Sequence, residues 1–506
     1  MAGSRSKKFF YNTLFTALLQ VVNIIATLIV PKFMLRFYGS EINGLVTSIT
    51  QFITYFNLVE AGLSSASIYA LYKPLADKDD EKISAVVSAS RGFYIQAGWI
   101  FTLLTLVLAI AYPLYIGIES FSPYLIGLLV VVLGSNGFLE FFTLAKYRVL
   151  LSADQKTYVI SISSILQIVL QTLIIAVMSC LEINIVIVRA VAVSSIVLRS
   201  LILAVYCKIK YRNVNYKAKP DKNALNKRWD AMFLQILGAI HKGTTVLLLT
   251  VIVRDLVLIS VYSIFSIVIS GLNNILNIFN SGLAASFGEV IAKDEKTILQ
   301  KAYKEFELGF YLIITFLFSV SFVMITPFVK VYTLGISDAN YDMPLLGFML
   351  VLSAYIYQLK TPQGMLILSA GMYKETKWRT LTQGLIALVG GAILAFPFGI
   401  YGILLGAIFS DVYRDIDLCV FVNKHITGLS PMATIGNIVK SMLAMIFIVV
   451  PFCFISINPI SWLEWIVNAC LVSIYALVIL LIMVIILDRK QIKGIVKRAK
   501  NIFGRG

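Results

Sequence analysis

Apolar residues run through this chain in long stretches, each closed by a short polar or basic segment, and the polar positions inside the stretches recur at helical spacing. A bilayer crossing takes about 20 apolar residues. On that measure the chain predicts spans near 9–31, 41–71, 83–112, 122–145, 157–180, 183–206, 230–253, 257–288, 305–329, 343–370, 378–398, 399–422, 435–457 and 461–487, fourteen in all. The first span sets Asn12, Thr16, Gln20, Asn23 and Thr27 on one helix face. Thr47, Gln51, Thr54 and Asn57 repeat the stripe in the second span, and Asn273, Asn277 and Asn280 in the eighth. The plain use of such residues is hydrogen bonding between helices, worth well under about 2 kcal/mol per contact. Three stripes in the opening helices of two halves suit a hydrated cleft, because carboxamides and hydroxyls pair with sugar hydroxyls.

The halves repeat. Asn57-Leu-Val-Glu-Ala-Gly62-Leu63-Ser-Ser-Ala-Ser67 returns 220 residues later as Asn277-Ile-Phe-Asn-Ser-Gly282-Leu283-Ala-Ala-Ser-Phe287, and Gly92-Phe93-Tyr94 returns as Gly309-Phe310-Tyr311. Lys208 to Arg228, with Pro220 and eight basic residues, separates the copies. The expected organisation is an N-terminal lobe over 1–207, a basic linker over 208–229, a C-terminal lobe over 230–424, and two further spans with a basic tail over 425–506. Six helices precede the linker, so both copies start on the same side and form parallel repeats. The fold class is an all-α integral membrane protein, with two pseudo-symmetric six-helix lobes, two C-terminal helices and a cleft between the lobes.

Composition agrees and narrows the function. With 59% hydrophobic and 14% charged residues and a mean hydropathy of +0.87, the chain exposes more apolar surface than a soluble domain can hide. The net charge of +17 does not indicate nucleic acid, because the basic residues sit between spans. With the N-terminus inside, 32 Lys and Arg, Lys146 and Arg148 among them, fall on the cytoplasmic side. Only Lys32, Arg36, Arg254 and Lys330 fall outside. That bias supports the span count, a multi-pass topology and cytoplasmic termini. Contact with anionic headgroups of the bilayer is a secondary use. No small-residue cleavage site follows the first apolar run, so no signal peptide is expected. The five cysteines stand singly, without metal-ligand spacing, and neither a metal nor a cofactor is expected. Lys242-Gly243-Thr244 lacks the glycine loop of a nucleotide site, and neither H-E-x-x-H nor G-x-S-x-G occurs, so no catalytic residue is assigned and no enzyme is expected.

Charges at depth carry the candidate chemistry, since each costs at least about 2.5 kcal/mol in the centre of a span. Arg91, Lys242 and Lys360 are cations without a helix-mate, although Glu60 is placed to meet Arg91. Asp411, Arg414, Asp415 and Asp417 are spaced so that Arg414 is neutralised on its own helix, with Asp411 deepest. Glu140 and Arg189 lie near helix ends, where snorkelling serves them. A cleft so lined favours an anion. Glu60, His241 and Asp411 are the candidates for binding a coupling ion, and His241 beside a lysine also reads as a plain polar lining residue. Gly399, Gly402 and Gly406 are expected to allow close helix packing.

The order of parts Tyr38-Gly39-x-x-x-Asn43-Gly44-Leu45, Glu60-Ala-Gly62-Leu63-Ser-Ser-Ala and Leu71-Tyr72-Lys73-Pro74-Leu75 resembles the Wzx-type oligosaccharide flippases of the multidrug/oligosaccharidyl-lipid/polysaccharide exporter superfamily. The likeness covers the whole chain in span number, linker position and duplication, and its specific motif spans residues 38–78. It implies two lobes in a V, alternating access in a bacterial cytoplasmic membrane, and transfer of undecaprenyl-diphosphate-linked oligosaccharide to the outer leaflet for surface polysaccharide biosynthesis. Glycosyltransferases and a polymerase of the same pathway would be its partners. Arg91, Lys242 and Lys360 would hold the diphosphate, with Gln20, Asn23, Gln51, Asn57, Asn273, Asn277 and Asn280 at the sugars. The alternative is a cation-coupled multidrug exporter of the same superfamily. Such exporters often carry an acidic residue in the first span, and Asn12 to Thr27 contains none.

Overall fold

The computed structural model describes the backbone of residues 2–118, 121–221 and 243–487, and their side chains apart from residues 2–7, 9, 278–286 and 373. The protein is an all-α membrane protein, and among the described residues there is no strand. Lipid offers no hydrogen-bond partner to the backbone, so apolar stretches of this length close their bonds within helices. Among the described residues, ten continuous helical stretches are long and apolar enough to cross a bilayer. Two of these, Phe10–Asp77 and Lys374–Thr427, are each divided by a glycine at positive φ, Gly39 and Gly399. A further span is broken at Lys360, and Gly243–Val253 is the described part of the seventh. Those divisions reconcile ten stretches with the fourteen expected spans.

The chain forms two compact units, Met1–Thr250 with Arg254–Ser260, and Val251–Val253 with Val261–Gly506. In the first unit, α1 (Ala2–Phe56) breaks at Gly39, and its first half runs beside α6 (Thr157–Cys180). Asn12 meets Gln155 and Tyr158, Thr16 meets Ser161, and the Tyr38 hydroxyl donates to the Ile183 carbonyl. Both residue numbers rise together, so the two helices run parallel, as first and fifth spans of one topology must. A 3-10 turn over Asn57–Glu60 interrupts the second span before α2 (Leu63–Asp77). Next come α3 (Asp80–Tyr115), α4 (Pro123–Leu139) and α5 (Ala145–Ala153), the last two joined by a π-helical turn at Glu140–Leu144. After α6 come α7 (Ile185–Ala192) and α8 (Ser194–Lys210). Leu144, Leu151, Val159, Ile196, Leu203 and Cys207 form one of its cores. Leu103, Ile110 and Leu114 on α3 point outward, the exposure expected of a lipid-facing stripe.

The motif over 38–44 is a packing seam. Gly39 adopts a φ that favours glycine. Buried Asn43 donates to Ser260 at 2.8 Å, and a β-carbon on Gly44 would overlap the Leu256 carbonyl.

The second unit takes α9 (Leu256–Ala292) from Val261 onward, then α10 (Lys296–Tyr332), α11 (Pro344–Leu359) and α12 (Thr361–Ala370). Pro362 lacks the amide hydrogen that would continue α11, and the tenth span breaks at Lys360. Then follow α13 (Tyr373–Leu385), α14 (Gly391–Val422), α15 (Pro431–Val449) and α16 (Trp462–Leu487). Gly399 has φ +55°, and beyond it the chain folds back so closely that β-carbons on Gly402 and Gly406 would overlap the backbone at Leu394 and Gly391. The three glycines therefore divide the labour: one turns and two permit contact. Ala444, Ile448, Ala476 and Leu480 bind α15 and α16 together, with Leu312 and Phe316 of α10 packed against them.

Candidate functional site

The deep charges of the first unit centre on Arg148. Its guanidinium donates to Glu60 at 2.9 and 3.1 Å and forms a second ion pair with Glu140. Glu60 thus pairs with Arg148 and not with Arg91. Arg148 is a half-buried bridge and no loop cation, because the π-helical turn after Leu139 carries the helix, and Arg148 with it, onward inside the unit. Glu140 is held from the same side, so snorkelling does not account for it. Arg199, on α8, donates to Gln167 at 3.2 Å and adds a further cation near Glu140. Its Nε and that of Arg189 are buried without a hydrogen-bond partner.

Arg91 stays uncompensated. Among the described residues it meets no carboxylate, and the cation closest to it in effect is Lys146, near enough for the two charges to repel. The Lys146 ammonium lies 4.8 Å from the Tyr147 ring centre and 5.9 Å from that of Tyr216. Cation–π contact stabilises an ammonium without neutralising it. Two positive charges are left over here.

In the second unit Lys360 is an ion-paired residue, since its ammonium binds Asp411, which is 1% exposed and also accepts from Gln383 at 3.0 Å. The helix break at Pro362 turns Lys360 toward α14, a juxtaposition that spacing along the chain does not encode. Arg414 is neutralised on its own helix as expected, by Asp417 at 2.7 Å, and Arg379 joins the same carboxylate. Asp415 leaves its Oδ1 buried and unpartnered.

The residue that sequence reasoning missed is Glu307 of α10, which is 2% exposed. Its Oε1 accepts from the hydroxyls of Tyr303 and Thr434, each at 2.8 Å, and from Gln363 Nε2 at 3.3 Å. Its Oε2 accepts from Asn437 at 2.9 Å. All four donors are neutral. Glu307 follows Lys301, Lys304 and Glu305, so it reads as one more charge of a polar helix end.

The polar stripes divide between the two readings. Asn12 and Thr16 bond α6, Thr47 and Thr54 bond their own helix at the Asn43 and Thr50 carbonyls, and Asn273 accepts from Gln358 at 2.7 Å. These residues serve packing. Gln20 and Asn23 are half-buried, Asn57 and Asn277 are exposed, and Gln51 packs against Gly243. His241 and Lys242, and the side chain of Asn280, lie outside the described residues.

At one end of the first unit, between α5 and α6, Asp154 gathers Lys8 at 3.2 Å, Lys156 at 2.5 Å and the Tyr211 hydroxyl at 2.7 Å. Burial alone would raise this carboxyl. The bonds and charge from Lys156, Tyr211 and Lys8 outweigh it and hold the acid below the ordinary carboxylate range.

No family model matches the chain, and no curated protein matches it in sequence. Solved structures do. A lipid II flippase, MurJ, in an inward closed conformation superposes with a TM-score of 0.68 at 14% identity over 95% of this chain and 100% of its own. An inward-facing multidrug resistance MATE family transporter of the MOP superfamily gives 0.64 at 14% identity over 80% of this chain and 95% of its own. A MOP superfamily transporter from Pyrococcus furiosus, described as having a binding pocket of reversed polarity, gives 0.51 at 14% identity over 87% and 94%. The fold is that of these transporters.

Proposed function

We propose that the protein is a flippase that moves undecaprenyl-diphosphate-linked oligosaccharide across the membrane by alternating access. The observation that carries this reading is the pair of cations Arg91 and Lys146, which meet no carboxylate among the described residues and lie close enough to repel. Like charges held together without carboxylates cost free energy unless an anion visits them. A diphosphate supplies that anion, while its polyprenyl tail stays in lipid. Half-buried Gln20 and Asn23 remain as candidates for the sugars, and Lys242 as a further candidate cation. The fuller overlap with the lipid II flippase, 95% of this chain against 80% with the multidrug transporter, adds support. Transfer of labelled diphosphate-linked oligosaccharide across proteoliposomes tests the proposal. The double variant Arg91→Ala/Lys146→Ala should lose at least about tenfold in rate at unchanged protein content, while transfer at the full rate overturns the assignment.

The second reading, a cation-coupled exporter of organic cations, draws on Glu307, a buried carboxylate that no described cation neutralises. It predicts export of a cationic dye by the same proteoliposomes, abolished in Glu307→Gln, with no transfer of the lipid-linked substrate.

A further inference from the structure

Glu307 binds α15 to α10 through donors that carry no charge. A carboxylate has about four lone-pair positions, two on each oxygen; Tyr303, Thr434 and Gln363 crowd onto Oε1, and Asn437 is the donor described on Oε2. The Gln363 amide is 2% exposed, and while its Nε2 faces Glu307 its own Oε1 has no partner. An orphan acceptor thus belongs to the same amide that touches the acid. If Glu307 carries a proton and the amide turns over, the new O–H donates to that oxygen across the 3.3 Å gap, and Nε2 gives up its contacts with Glu307 and Tyr311. Each protonation state has its own hydrogen-bond pattern.

A pocket of about 30 Å³ lies against Asn437, one of the four donors, and is lined also by Tyr311, Thr315, Ser441 and Lys440 among apolar residues; roughly 10–15 Å³ holds one water. The site is also wired to the break in the tenth span. Gln363 Nε2 lies 3.1 Å from the Tyr311 hydroxyl, which donates at 3.0 Å to the Leu359 carbonyl, one residue before Lys360.

We propose that Glu307 is a proton-binding site that fastens α15 to α10 when ionised and loosens it when protonated, passing its state to the Lys360–Asp411 pair through Gln363 and Tyr311. The inference goes beyond substrate transfer and does not depend on which substrate is moved. The titratable groups facing Glu307 are Tyr303 and Tyr311 on α10, Cys419 on α14 with Asp415 one turn before it, and Lys440 on the pocket wall of α15. The α16 residues there, Leu480, Met483 and Val484, carry no charge. Asp415 is the rival acid and serves as the control.

The test uses the full chain in lipid nanodiscs, with infrared difference spectra between alkaline and acidic buffer and hydrogen-exchange protection over Pro431–Val449. The wild type should gain a protonated-carboxyl band and lose about tenfold in protection at acidic pH. Glu307→Gln should lack the band and show the low protection at both pH values, while Asp415→Asn keeps the wild-type response. Thr434→Val removes one donor from the ionised form, so the protection at alkaline pH should fall toward the acidic value. The proposal is overturned by a band that survives Glu307→Gln, by one lost only in Asp415→Asn, or by protection that responds to pH in Glu307→Gln as in the wild type. These readouts need no substrate, so they stand or fall apart from the flippase reading.

Discussion

Glu60 in the first unit and Glu307 in the second are carboxylates compensated in opposite ways. Glu60 sits against an arginine that also holds Glu140. Glu307 sits among two hydroxyls and two amides. An ion pair in a low-dielectric setting holds both partners charged, and losing one strands the other. Neutral donors stabilise the ionised form without forbidding the neutral one. The first arrangement suits a fixed joint, and the second a joint that can be undone by a proton.

The largest expected effect follows from Arg148→Ala, which strands two carboxylates at once and should cost at least about 3–5 kcal/mol. Thermal unfolding in detergent measures it, and the triple change Glu60→Gln/Glu140→Gln/Arg148→Gln should recover most of the loss. Lys360→Ala leaves Asp411 with only Gln383 among the partners described and should cost about 3 kcal/mol. Adding Asp411→Asn should restore stability, and if it does not, the pair is not what holds α12 to α14. Gly406→Ala forces a side chain into the backbone at Gly391 and should cost about 1–3 kcal/mol.

Glu307→Gln belongs lower on the scale, at about 1–2 kcal/mol, because it weakens charge-assisted hydrogen bonds but strands no charge. A loss as large as that of Arg148→Ala would erase the contrast between the units. The smallest effect concerns Asp154, whose folded-state acid lies below its unfolded value. Its contribution is therefore present above about pH 4 and lost as pH falls through the lower folded value. Acid titration of the wild type should show a loss of no more than about 1 kcal/mol below pH 4 that Asp154→Asn lacks.

Local spacing made much of this legible. Apolar run lengths marked the spans, Gly402 and Gly406 marked a close approach, and the three-residue step from Arg414 to Asp417 marked an ion pair that the structure contains. Contacts between helices were not legible, because periodicity says which face a residue occupies and nothing about which neighbour meets it. Lys360 and Asp411 are 51 positions apart, and Arg148 and Glu60 are 88. Arg148 reads as a loop residue since Lys146 ends the apolar run before it, and the π-helical turn that keeps it inside has no signature in hydropathy. Glu307 was hidden by its charged neighbours.

The reversal at Gly399 has a practical side. A hairpin that changes direction at a single residue leaves no loop to lengthen, and an epitope spliced beside Phe398 would have to prise Gly402 away from Leu394. The irregular connection between Tyr332 and Pro344 has slack to spare, so reporters meant to reveal which side of the membrane this end occupies belong there.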